Sequence, residues 1–157
     1  MESNLPGQST IKQKLSEDLK QALRSGDKAR VGAIRLLISA INNAEIAKLA
    51  QLTDADIYSV IQREIRQREE SIESFKKGNR PDLVAQEEAE LAVLRSYLPA
   101  QASRSDIEAA ARKIIEETGA QGPKDKGKVM PRLVAEFKGK ADGRVLNEIV
   151  TELLNKI

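Results

Sequence analysis

Hydrophobic positions recur at helical spacing along almost the whole chain, so the sequence reads as helices throughout. Thr10 can cap a first helix whose apolar stripe is Ile11, Leu15, Leu19, Ala22 and Leu23, and Gly26 ends it. Asp27 opens a second, long helix that reaches about Ala50. Its segment from Ala33 to Ile41 is apolar on most sides, which predicts a central, buried helix. Thr53 begins a third, with Asp56 at the capping-box position in place of Glu. The stripe of that helix is Ile57, Ile61, Ile65, Ile72 and Phe75, and Gly78-Asn79-Arg80-Pro81 breaks it. A fourth helix runs from Asp82 to about Leu98, where Pro99 stops it.

Beyond Pro99 the pattern predicts three more helices. Ser103 or Ser105 caps the first, with Ile107, Ala110, Ala111, Ile114 and Ile115 inward and Gly119 closing it. After a polar linker over 120–124, the second runs from about Asp125 to Lys138, with Val129, Met130, Leu133, Val134 and Phe137 inward. Pro131 falls inside it and should kink it or delay its start. Asp142 caps the last, which carries Val145, Leu146, Ile149, Val150, Leu153 and Leu154. The expected fold is all-α. An N-terminal helical domain of about four helices covers 1–98 and a small C-terminal three-helix domain covers 99–157. The second is small for an independent core, so its helices are expected to lean on the first domain or to stay loosely tethered to it.

Composition narrows the chemistry. Of 157 residues, 40% are hydrophobic but only 3% aromatic, so the cores must be Leu, Ile, Val and Ala. There is no run of about 20 apolar residues for a membrane span. Residues 1–9 lack the basic and apolar regions of a signal peptide. Together with the absence of cysteine, these features suggest the cytoplasm. With neither histidine nor cysteine, the chain lacks the commonest general base and metal ligand and also the thiol nucleophile. The acidic residues sit in helical surface patterns rather than in an Asp-rich loop. The glycine-rich runs match neither a phosphate-binding loop nor a dinucleotide fingerprint. No metal, no cofactor and no catalytic residue are expected.

Charge separates the two halves. Residues 1–98 hold fifteen basic and fifteen acidic side chains, whereas 99–157 hold eleven and nine, so the net +2 comes from the C-terminal part. Within it, 122–144 carries seven basic groups against three acidic. Lys126, Gly127 and Lys128 lie at the start of one predicted helix. Lys138, Gly139, Lys140 and Arg144 lie around the turn into the next. Such a turn offers backbone N–H groups and cations together, which suits a phosphate backbone. It also has a purely structural explanation, with Gly139 a helix cap and the lysines complementing the macrodipole. Were the two helices antiparallel, about 12 residues of helix would separate the two clusters by ~18 Å, so they would touch phosphates several nucleotides apart. No aromatic side chain is interleaved for stacking, which favours shape and backbone contacts. The charge run Arg63–Glu70 and the Glu87–Glu90 cluster are expected to be solvated faces. Arg35 is expected at the edge of the core, paired to a carboxylate of the third or fourth helix.

Several stretches carry a resemblance to a known family. They are Arg35-Leu36-Leu37, Val60 to Arg68, Ser71-Ile72, Gly78 to Leu83, Glu90-Leu91, Tyr97-Leu98-Pro99, Gly127 to Met130, and Gly139 to Gly143. The last two, followed by Val145, Asn147 and Val150, are the specific ones. On these the chain resembles the GatB/YqeY family over nearly its full length. The resemblance implies a second domain similar to the tail of the B subunit of the glutamine-dependent aspartyl/glutamyl-tRNA amidotransferase, which grips the outer corner of tRNA. Related modules are fused to glutaminyl-tRNA synthetase and aid tRNA binding there. Carried over, Gly127, Lys128, Lys138, Gly139, Lys140 and Arg144 become tRNA-contact candidates, and Lys126 joins them on charge. Pro131 departs from the family pattern, where the helix is expected to run on. The resemblance covers neither the kinase-like part that activates acyl-tRNA nor the amidase that releases ammonia. A carbon–nitrogen ligase label would therefore be inherited by homology. The expected function is a non-catalytic tRNA-binding module that recognises the elbow region. The alternative is an adaptor docking on a synthetase or amidotransferase through the neutral N-terminal domain.

Overall fold

Short polar residues stand ahead of nearly every apolar stripe in this chain, and they set where its helices begin. The computed structural model describes residues 9–157, and among these it contains seven α-helices, one 3-10 turn and no strand. The fold is all-α, as the periodicity predicts. The chain divides into two compact units, Met1–Leu98 and Pro99–Ile157. The first eight residues, where no signal peptide is expected, lie outside the described ones.

The first unit holds α1 (Thr10–Ser25), α2 (Lys28–Lys48), α3 (Asp54–Lys77) and α4 (Pro81–Arg95). Ser9 rather than Thr10 caps α1, its hydroxyl accepting from Lys12 N. Both hydroxyls also donate to the Asp54 carboxylate at the start of α3. Asp27 caps α2 by accepting from Arg30 N at 3.1 Å. Thr53 and Asp56 complete a reciprocal capping box on α3. Hydrogen bonds from Lys48 and the Thr53 backbone hold the Asp56 carboxyl down at about 2. Pro81 opens α4 at its first position, where a missing N–H costs nothing. The core joins Leu15, Ile34, Leu37, Ile41, Ile57, Ile61 and Leu94, with Tyr97 closing it from beyond α4. The Tyr97 hydroxyl donates to Asp18 on α1, and burial with that carboxylate pushes its pKa up.

Four expectations for this unit fail, the solvated Glu87–Glu90 cluster among them, since Glu90 is buried. The helix α2 is not buried all round: it shows one core face through Ala33, Ile34, Leu37 and Ile41. Leu36 is 48% exposed, Ile46 72%, and Leu49, just past the helix, 92%. Arg35 lies on the exposed side and makes no ion pair among the described residues. The cation that enters the core is Arg68, from the run expected to be solvated. Its guanidinium meets Glu87 at 3.0 Å and Glu90 at 3.4 Å, and all three side chains are largely buried. Intrahelical spacing shows which residues neighbour each other along α3. It does not show which position faces α4, and that decides burial here.

Glu90 is the most confined member of the group. Burial raises its pKa, the Arg68 charge lowers it, and Glu87 raises it again. Gly32 on α2 makes the room, since a Cβ there would stand 2.8 Å from Glu90 Oε1. Alanine at position 32 should gain about 1 kcal/mol of helix propensity while displacing a paired carboxylate. The double-mutant cycle with Glu90→Ala separates the two effects. Gly32→Ala should stabilise by about 1 kcal/mol in the Glu90→Ala background and fail to do so in the wild-type background, read by urea denaturation.

Asp56 supplies a pH test with a definite sign. Its pKa is lowered on folding, so its contribution is complete above the unfolded value and is lost as pH falls through about 2. The stability difference between wild type and Asp56→Asn should be flat above about pH 5 and shrink steadily below it, until pH has fallen past about 2.

The second unit holds α5 (Arg104–Thr118), a 3-10 turn (Pro123–Asp125), α6 (Lys126–Glu136) and α7 (Gly143–Asn155). It has a core of its own, built on Ile107, Ile114, Val129, Leu133, Leu146, Ile149, Val150 and Leu154, with Phe137 at its edge. Ser103, not Ser105, caps α5 by accepting from Asp106 N at 3.1 Å. Gly119 closes that helix in the left-handed region at φ 70°. Pro131 lies inside α6 without ending it. Its missing N–H takes the helical partner from the carbonyl of Gly127, a residue on the exposed side.

Candidate nucleic-acid interface

The turn between α6 and α7 is built by backbone bonds around a buried anchor. Phe137, 8% exposed, packs into the core of the second unit. Its N–H donates to Leu133 O at 3.0 Å, and its carbonyl accepts from Lys140 N at 2.9 Å and Ala141 N at 3.2 Å. Gly139 stands at φ 75° and is buried, while Lys138 and Lys140 on either side are exposed. The turn thus puts its glycine inward and its two ammonium groups outward. Arg144 joins them from the first turn of α7, also exposed.

These cations differ from their neighbours in being unpaired. Asp125 faces Lys128 at 3.4 Å, and Glu117 on α5 binds Arg132. Lys126, Lys138 and Lys140 enter no ion pair among the described residues. Asp125 is itself held ionised, its pKa lowered chiefly by accepting from Gln121 N at 2.8 Å. Asp142 caps α7, accepting from Arg144 N at 2.9 Å, so that helix start does not present a free donor there to an anion. No side chain caps α6.

The structure brings Lys138, Gly139, Lys140 and Arg144 together and leaves Lys126, Gly127 and Lys128 at the far end of α6. That helix has 11 residues, about 16 Å at ~1.5 Å per residue. The α7 helix runs back along α6 and reaches the 3-10 turn, so the two clusters mark opposite ends of one helix pair. Sequence reasoning missed Gln101 and Ala102, which bond to the turn from the start of the unit. Gln101 donates to Gly139 O at 2.9 Å, and Ala102 N–H donates to Lys140 O at 2.9 Å. A glutamine in a polar connecting segment carries no periodicity that would mark it.

A family model described as Yqey-like protein matches residues 12–154. The chain belongs to the YqeY family. This family is related to the C-terminal tail domain of GatB. Among YqeY relatives, a protein of Pyrenophora tritici-repentis named Altered inheritance of mitochondria protein 41, mitochondrial, is 33% identical over 90% of this chain and 79% of its own length. Proteins of the same name from Lachancea thermotolerans and Saccharomyces cerevisiae are 37% and 36% identical over 69% and 65% of the chain. The match spans only 60% and 57% of those two proteins. Their names overturn the expected cytoplasmic location, since the relatives are mitochondrial proteins. The composition used for that expectation, without cysteine or an apolar span, suits any reducing aqueous compartment equally well.

Gly139 offers a stability test of the turn. A side chain at φ 75° costs about 1–2 kcal/mol. Gly139→Ala should lower the unfolding free energy by that amount, read by urea denaturation, whereas Gly127→Ala, with nothing within 4 Å of an added Cβ, should not.

Proposed function

We propose that this chain is a non-catalytic tRNA-binding module. Its second unit holds the phosphate backbone of tRNA near the elbow through Lys138, Lys140 and Arg144, and Lys126 and Lys128 make an outlying contact one helix length away. The observation that carries this is a set of exposed cations around a tight turn, with Lys138 and Lys140 in no ion pair among the described residues. Desolvating an unpaired lysine against phosphate breaks no existing ion pair and releases condensed counterions. Lys128 and Arg132 would first have to leave Asp125 and Glu117, so they contribute less. Recognition is by shape and charge, with no aromatic platform for bases. The kinship with the GatB tail domain supports a place beside tRNA-dependent amidation or glutaminyl-tRNA formation. A carbon–nitrogen ligase label would belong to the acyl-activating and ammonia-releasing parts of that machinery, not to a chain without histidine or cysteine.

A second function, an adaptor docking on a synthetase or amidotransferase, is favoured by one observation: Ile46 and Leu49 stand 72% and 92% exposed on the first unit. The two separate by salt. An adaptor binds its enzyme at high salt and without RNA, whereas backbone binding collapses.

The test is a fluorescence titration with unfractionated tRNA at several salt concentrations. With about three phosphates engaged, affinity should fall about 20- to 40-fold between ~50 and ~200 mM salt. The double variant Lys138→Glu, Lys140→Glu should abolish binding and leave helicity intact. Unchanged binding by that variant would place the contact elsewhere.

A further inference from the structure

The turn that carries Lys138 and Lys140 is not shaped by α6 and α7 alone. Gln101, in the first residues of the second unit, uses both hydrogens of its carboxamide: Nε2 donates to Pro99 O at 2.8 Å and to Gly139 O at 2.9 Å. The next residue continues the contact, with Ala102 N–H donating to Lys140 O at 2.9 Å. Two successive carbonyls of the basic turn are therefore occupied by donors from 101–102. Each effect favours an anion. A carbonyl oxygen carries partial negative charge and repels phosphate when it is unbonded; here both accept hydrogen bonds. Fixing these two carbonyls also fixes the peptide planes on both sides of Lys140, so less of that residue's freedom is lost on binding.

We propose that Gln101 is a positioning residue for the anion-binding turn, tying up the Gly139 carbonyl and fixing the backbone around Lys140 so that this lysine is held ready for a nucleic-acid phosphate backbone. This rests on the tRNA function proposed above. Gln101 touches no phosphate in this account and acts through Gly139 and Lys140. Its exposed side chain also makes a substitution there compatible with folding.

The test uses the full chain and Gln101→Met, which keeps length and neutrality but removes both donors. In the free protein, amide hydrogen exchange at Ala102 should quicken in the variant, because its partner carbonyl is no longer held by the neighbouring bond. In wild type, adding unfractionated tRNA at low salt should slow exchange at Ala102. The affinity of Gln101→Met for tRNA should drop about 3- to 10-fold at every salt concentration, with the slope of log affinity against log salt unchanged, since no cation has been removed. Lys140→Ala, by contrast, should flatten that slope by about one phosphate contact. Equal affinity and equal Ala102 exchange in wild type and Gln101→Met would overturn the positioning role while leaving tRNA binding intact. A flattened slope in Gln101→Met would overturn it too, because the residue would then be acting through charge. Absence of salt-dependent tRNA binding in wild type would refute the tRNA function itself, before any variant is compared, and this role with it.

Discussion

Everything in this protein depends on burying short aliphatic side chains in two cores whose directional contacts are few, chiefly the Arg68–Glu87–Glu90 group and the Tyr97–Asp18 bond of the first. Leu, Ile, Val and Ala fill them, with Tyr97 and Phe137 at their edges and no cysteine or histidine to add a crosslink. Such packing is strong in sum but tolerant of sliding and rotation, because no single contact is directional. The register of the helices is therefore decided at their ends. Ser9, Asp27, Thr53, Ser103 and Asp142 each accept a backbone N–H at a helix start, and Gly26 and Gly119 end helices in the left-handed region. The basic turn belongs to the same class of feature: a helix end, a left-handed glycine and a cap.

That origin explains why the candidate site lies where it does. A helix of short aliphatic residues uses one face for the core and has few polar groups that the core itself positions. Backbone and side-chain polarity is concentrated at the termini. In the second unit the α6–α7 turn combines such a terminus with three exposed cations. The other end of α6 has cations too, but Asp125 is already engaged with one of them. The difference between the two ends is one of pairing rather than of charge count, and pairing is what sets the cost of transferring a lysine to phosphate.

How much of this could be read from the sequence varied with the kind of signal. Caps at Asp27, Thr53 and Asp142 and breaks at Gly26 and Gly119 were legible, because each is a local event within four residues. The grouping of basic residues into two ends of one helix followed from the spacing. Burial was less legible. Leu36 belongs to a segment apolar on most sides, yet it faces outward, since a stripe wider than the available neighbours leaves part of itself uncovered. Arg68 looks like its neighbours in a charge run, and only the position of α4 shows that it meets Glu87 and Glu90. Gln101 was invisible for a different reason: its partner in the turn lies 38 residues away and is a backbone carbonyl, which leaves no mark on composition.

The most direct test of the central claim is an amide NMR titration of the full chain with unfractionated tRNA at low salt. The account predicts that the largest shift changes fall on Lys138 to Arg144 and on Gln101 and Ala102, with weaker ones at Lys126 to Lys128. Changes concentrated around Ile46 and Leu49, or none at all, would contradict it.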